Sequence, residues 1–147
     1  ANPVLVTPTC RRRFDKEGKS VNTHGEYPDA IRWVAQKENV PLIELNGMTT
    51  MLCDALGVDG SMKLYVHYPA GTFPGQTREF KDNSHFSTYG AYETAKCVVE
   101  GMKKAKLDIA NYLRADYKGF NPAQPDKFET FKWNLCPFTE IEKPDGN

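Results

Sequence analysis

Apolar positions along the chain fall into two short continuous runs and several helical stripes. Val4-Leu5-Val6 is a β-branched run closed by Thr7-Pro8, which is how a strand buried on both faces reads. The stretch from Cys10 to Glu26 is polar and carries Gly18 and Gly25, so it is expected as an exposed loop. Pro28 opens a predicted helix whose Ala30, Ile31, Val34 and Ala35 share a face, with Asn39 as its stop. Pro41-Leu42-Ile43-Glu44-Leu45 then predicts a second buried strand. Residues 4 to 45 thus form a strand, helix, strand unit whose crossover is long enough for parallel pairing.

Met48, Met51, Leu52, Ala55 and Leu56 follow the helical stripe, and Gly57 supplies a stop. Residues 58 to 82 mix glycines and prolines with Tyr65, Tyr68 and Phe73. They are expected as a long loop with one helical turn around Met62 to Tyr65. From Tyr89 a helix is predicted with Ala91, Ala95, Val98, Val99 and Met102 on one face, continuing through Ile109 and Leu113 after a break near Asp108. Residues 114 to 147 hold four prolines among Tyr117, Phe120, Phe128, Phe131, Trp133 and Phe138. That is too proline-rich for a helix and too apolar for a free tail, so an irregular segment packed over residues 1 to 113 is expected.

Composition narrows the function classes. At 147 residues the chain has the size of one domain. Lys+Arg and Asp+Glu are equal at 19 each, so no net field draws it to nucleic acid or an anionic membrane, and neither is expected as a partner. No apolar run reaches the roughly 18 to 20 residues of a membrane-spanning helix. Cys10, Cys53, Cys97 and Cys136 form no C-x-x-C pair, which argues against a zinc ribbon or thioredoxin-like motif and leaves buried thiols or disulfides open. A strand within a few residues of the start suggests a piece of something longer.

The chemistry concentrates in Asp82-Asn83-Ser84-His85-Phe86-Ser87-Thr88-Tyr89-Gly90. A carboxylate three residues before a histidine can hold the Nδ1 proton and leave Nε2 as a general base, which suits nucleophilic acyl chemistry. The plainer alternative is that Asp82 or Ser87 caps the next helix and His85 is an ordinary packed or surface residue. Arg11, Arg12 and Arg13 follow the first strand, at the end where open α/β sheets bind ligands. They read either as a solvated turn paired with Asp15 and Glu17 or as a carboxylate-recognition site. His24 and His67 sit in predicted loops without catalytic context.

Taken in order, Val4-Leu5-Val6-Thr7-Pro8, Arg12-Arg13-Phe14, Tyr27, Ala30, Val40-Pro41-Leu42-Ile43-Glu44-Leu45, Asp82-Asn83-Ser84-His85-Phe86 and Gly90-Ala91 resemble the SGNH (GDSL-like) hydrolases. Within that family they are most similar to the rhamnogalacturonan acetylesterase branch, over roughly residues 3 to 113. The resemblance implies a partial three-layer, flavodoxin-like α/β fold with parallel strands and packed helices, lacking the N-terminal strands. It further implies a Ser-His-Asp hydrolase deacetylating a pectic polysaccharide, outside the cytoplasm in periplasm or secretion, with no metal or organic cofactor. Asp82 and His85 match the triad aspartate and histidine, while Arg12 or Arg13 would meet a galacturonate carboxylate.

The family's Gly-Asp-Ser nucleophile block and its Gly-x-Asn-Asp oxyanion block do not occur in this sequence, and Asp59-Gly60-Ser61 has the wrong order. The expectation is therefore the C-terminal portion of a larger esterase, catalytically weak or dead alone. Its missing N-terminal half would be a partner, and an apolar sheet edge would drive self-association without it. Two other classes compete. One is a carbohydrate-binding or interaction module using Tyr65, Tyr68, Phe73, Phe131 and Trp133 as stacking platforms. The other is a cysteine nucleophile served by His85.

Overall fold

The first two strands pair as the apolar runs predict. In the computed structural model, which describes residues 1–133, Leu5–Val6 (β1) lies parallel to Leu42–Ile43 (β2), with Leu5 opposite Leu42. Helix Tyr27–Lys37 (α1) is the crossover, with Pro28 in its first turn. At the strand ends, Glu44 gathers three elements. It accepts from Arg32 Nε at 2.6 Å and Nη2 at 2.7 Å, and from Thr7 Oγ1 at 3.0 Å. It also caps the next helix by accepting from the Gly47 amide. The Arg32 guanidinium holds the Glu44 carboxyl below the usual carboxylate range.

Helix Leu45–Gly60 (α2) begins three residues before the predicted stripe, taking Leu45 from the predicted strand, and buries a rotated face. Leu45, Thr49, Leu52 and Cys53 are buried, whereas Met51 and Ala55 of the predicted stripe are exposed. Thr49 takes a core position because its hydroxyl is satisfied on both sides: it donates to Leu45 O at 2.8 Å and accepts from Cys10 N at 2.9 Å. Gly57 interrupts the helix with φ 68°, a left-handed conformation that suits glycine. A 3-10 turn, Ser61–Leu64, follows.

The predicted long loop at residues 58 to 82 is instead largely a hairpin. Tyr65–Tyr68 (β3) pairs antiparallel with Phe80–Phe86 (β4). β3 has the aromatic and β-branched composition of a strand. β4 is polar on both faces and shows no alternation from which a strand could be read. The connection between them closes on Gln76, whose amide nitrogen donates to Arg78 O at 2.7 Å and Pro69 O at 3.0 Å.

Helix Thr88–Lys104 (α3) is capped by Ser87, whose Oγ accepts from Gly90 N at 3.0 Å. Its inner face also differs from the expected stripe. Tyr89, Gly90, Glu93, Thr94, Cys97 and Gly101 are buried, while Ala91 and Ala95 are exposed. The glycines explain the rotation, since a Cβ on Gly90 would lie 1.8 Å from Leu64 O and one on Gly101 would lie 2.4 Å from Ile43 Cγ2. Only glycine admits so close a backbone approach. The core joins Cys10, Ile43, Leu45, Leu52, Cys53, Leu64, Tyr65, Tyr89 and Cys97.

After a 3-10 turn at Asp108–Tyr112, residues 114–133 return along α3. Tyr89 stacks edge-on against Phe128 and Phe131 and donates its hydroxyl to Asp126 O at 2.6 Å. Fully buried Glu93 is paired with Lys96 at 2.8 Å, and Lys96 also reaches Asp126 at 2.7 Å. Cys136 and Phe138 lie outside the described residues.

Candidate active site

Asp82 and His85 occupy an outward bulge of the hairpin. The antiparallel register pairs Tyr65 with Phe86 and His67 with Lys81. Val66 alone therefore faces the four residues from Asp82 to His85, which must bow away from the partner strand. The bow is held from within by Asp82. Its Oδ1 accepts from Ser84 N at 2.6 Å and His85 N at 2.9 Å, and its Oδ2 meets His85 Nδ1 at 2.6 Å. The aspartate thus fixes both the backbone and the ring. The His85 and Ser84 amides, and then the His85 ring, hold the Asp82 carboxyl down to about 2.

With Nδ1 occupied by an ionised carboxylate, the tautomer that leaves Nε2 unprotonated is favoured. The His85 side chain is 82% exposed, so Nε2 points away from any partner within the described residues. This is the arrangement of a general base oriented by a carboxylate. Ser87 is not its nucleophile, since its buried Oγ donates to Lys63 O at 2.6 Å and caps α3. Cys10, Cys53 and Cys97 are all buried in the core.

Asn83 clamps the bulge to two other elements. Its backbone carbonyl accepts from Arg12 N at 2.9 Å. Its Oδ1 meets Arg12 Nη1 at 3.3 Å and His67 Nε2 at 2.9 Å. Arg12 extends the brace by donating from Nε to Ser61 Oγ at 3.1 Å and from Nη2 to Val58 O at 2.6 Å. The Arg12 guanidinium is thereby committed within the protein, while neighbouring Arg13 is exposed. The loop after β1 and the Asp82–His85 bulge are brought together, although the bulge belongs to the β3-β4 hairpin and not to the sheet that β1 forms with β2. Asp15, expected to pair with the arginines, instead accepts from the amides of Glu17 and Lys19. His24 Nε2 meets Thr9 O at 2.8 Å, a structural role.

His67 and Asn83 carried no signal as site residues in the sequence. Their pairing depends on the hairpin, which local patterning does not reveal. Of the aromatic residues considered as stacking platforms, Tyr65 is buried and Phe131 packs against Tyr89 and Tyr92. Phe73 and Trp133 are exposed. Among the described residues no group of His, Cys, Asp and Glu could hold a metal ion.

No family model matches the chain. The chain is similar to rhamnogalacturonan acetylesterase RhgT of Bacillus subtilis, with 41% identity over 113 residues. The match covers 77% of this chain and 49% of that protein. YesY of the same organism, described as a probable rhamnogalacturonan acetylesterase, is 29% identical over 113 residues, covering 77% of this chain and 48% of its own length. The chain therefore spans about half the length of the curated relatives it matches. In fold it is similar to the crystal structure of protein YxiM from Bacillus subtilis, with a TM-score of 0.56 at 24% identity, covering 71% of this chain and 26% of that one.

Proposed function

We infer from one premise, that this chain belongs to the SGNH hydrolase family over the part it shares with its rhamnogalacturonan acetylesterase relatives, that it carries the base arm of a serine ester hydrolase. The observation that carries this reading is the Asp82 Oδ2 to His85 Nδ1 contact of 2.6 Å on a bulge that leaves Nε2 without a partner among the described residues. His85 Nε2 takes the proton of a serine hydroxyl as that oxygen attacks the ester carbonyl. It then returns the proton to the departing sugar hydroxyl, and repeats the cycle with water to release acetate. Asp82 stays ionised throughout, aligning the ring and stabilising the imidazolium. The serine and its oxyanion donors are not recognisable in this sequence, and we propose that residues outside it supply them.

The substrate class we propose is an acetylated pectic polysaccharide, supported by the names of the two relatives. Arg12 holds the arginine loop against Asn83, and Arg13, exposed beside it, is suited to meet a uronate carboxylate. Such polymers are met outside the cytoplasm, in periplasm or after secretion. The sheet is proposed to extend into the flavodoxin-like layer arrangement. An apolar groove of about 910 Å³ beside β1, lined by Val4, Val6, Val98, Met102, Leu107 and Ile109 among others, supports further structure packing there.

Hydrolysis of p-nitrophenyl acetate by this chain, and by the longest product of its parent reading frame, tests the reading. The long product should be active, and His85→Ala should lower its kcat/KM by roughly 1,000-fold. A long product that keeps full activity without His85 would sink the assignment. Activity of the short chain alone that depends on His85 would return Ser84 to consideration as nucleophile.

A further inference from the structure

Two thiols from different elements meet behind the site. Cys10 follows β1 and Cys53 lies in α2, 43 residues apart in sequence, yet their Sγ atoms are 3.2 Å apart. That is shorter than two unbonded sulfurs approach without a shared proton, and longer than the bond of about 2.05 Å. Both residues are buried, at 6% and 1% exposure. They are held where they are by fixed partners. Cys10 N donates to Thr49 Oγ1 at 2.9 Å and Cys10 Sγ meets Thr49 O at 3.2 Å. Tyr65 donates its hydroxyl to Cys10 O at 2.8 Å and lies 3.5 Å and 3.6 Å from the two sulfurs. The hydrogen bond from Cys53 lowers the Cys10 thiol from its ordinary value, against the opposing effect of burial.

We propose that Cys10 and Cys53 are a disulfide-forming pair that staples the arginine loop to α2. The Cys10 thiolate attacks a low-molecular-weight disulfide such as oxidised glutathione, forming a mixed disulfide and expelling one glutathione thiolate. The Cys53 thiolate then attacks the Cys10 sulfur and expels the second. Two protein thiols are oxidised by two electrons, one small disulfide is reduced to two thiols, and the two protons end on the glutathiones. Cys97, buried in the same core but without a sulfur neighbour among the described residues, serves as the internal control. The staple lies two residues before Arg12, so it secures the brace on Asn83 without touching Asp82 or His85. It is independent of the esterase reading.

The whole chain is equilibrated, by refolding, in glutathione buffers from fully reducing to fully oxidising. It is then acid-quenched, labelled with N-ethylmaleimide in denaturant and digested with trypsin. The expected product joins peptide 1–11 to peptide 38–63, with loss of two labels, while peptide 97–103 stays labelled. The oxidised chain should melt roughly 5 to 10 °C above the reduced one, and the difference should vanish in Cys53→Ser. Peptides 1–11 and 38–63 recovered separately labelled from the most oxidising buffer would overturn the proposal. So would cross-linking of Cys97 to the same extent as the Cys10–Cys53 pair. Because Cys53→Ser could disturb folding, the peptide map of the unmutated chain decides by itself.

Discussion

At the residue scale, Asp82 has two tasks, and they predict its titration. The carboxyl is held at about 2, below its ordinary 3.8, by the His85 and Ser84 amides and the His85 ring. A lowered folded-state value means that the stabilisation it contributes is present above 3.8 and is lost as pH falls through about 2. The amide resonances of Ser84 and His85, followed by NMR, should therefore shift at acid pH with a midpoint near 2. A midpoint near 3.8 would show that the bulge does not hold its carboxylate. Arg12 and Arg13 separate in the same way. Arg12→Ala removes the brace on Asn83, Ser61 and Val58, and should, on the proposed function, lower kcat of the long product and cost about 1–2 kcal/mol of stability. Arg13→Ala should leave stability within about 0.5 kcal/mol and raise KM for uronate-containing substrates only. The experiment is kinetics on charged and neutral acetylated sugars beside a urea titration, and equal effects of the two substitutions would contradict this division.

At the element scale, two helices meet their neighbours by different means. α2 accepts a polar threonine into its inner face because Thr49 finds partners on both sides. α3 approaches the 3-10 turn and β2 through glycines, whose absent Cβ atoms leave room for Leu64 O and Ile43. Gly90→Ala should be among the most damaging small substitutions in the chain. The added methyl meets a backbone carbonyl that cannot rotate away, and a loss of about 3 kcal/mol is expected in urea unfolding. A loss under about 1 kcal/mol would mean that α3 can slide. Because Leu64 O also accepts from Ser87 N at 2.9 Å, the same change should disturb the start of α3 directly behind the bulge. The hairpin is the element that local pattern missed. Its register joins Tyr65 to Phe86, a pairing that no short window of sequence contains, and β4 has too few apolar positions to show a period.

At the scale of the whole molecule, the apolar groove beside β1 carries the prediction for the behaviour of the chain in solution. Val6 is 41% exposed at a strand whose described pairing is with β2 alone, and the lining residues are mainly apolar. Exposed apolar surface next to a sheet edge favours association. Light scattering across a concentration series should show species larger than a monomer, reduced when Val6 is replaced by Lys. A clean monomer at all concentrations would mean that the groove is satisfied within the chain. The same groove bears on the site, for β1 leads into the loop that carries Cys10, Arg12 and Arg13.

The sequence by itself determined the strand, helix, strand unit and the adjacency of Asp82 to His85. Continuous β-branched runs and a three-residue spacing are local properties, and local properties survive without a fold. Val4-Leu5-Val6 and Leu42-Ile43 could be recognised from their apolar, β-branched runs, and Leu5–Val6 and Leu42–Ile43 pair in parallel, although Val6 is exposed and not buried as such a run predicts. Only the tertiary structure decided what the Asp82–His85 segment rests on. The bulge exists because β3 is four residues long and offers Val66 alone against Asp82 to His85. Asn83 becomes a clamp because Arg12 and His67 arrive from positions 71 and 16 residues away. The inner faces of α2 and α3 rotated for the same reason. Where a neighbouring backbone or a distant hydrogen-bond partner competes with hydrophobic periodicity, close packing and polar satisfaction outweigh the stripe.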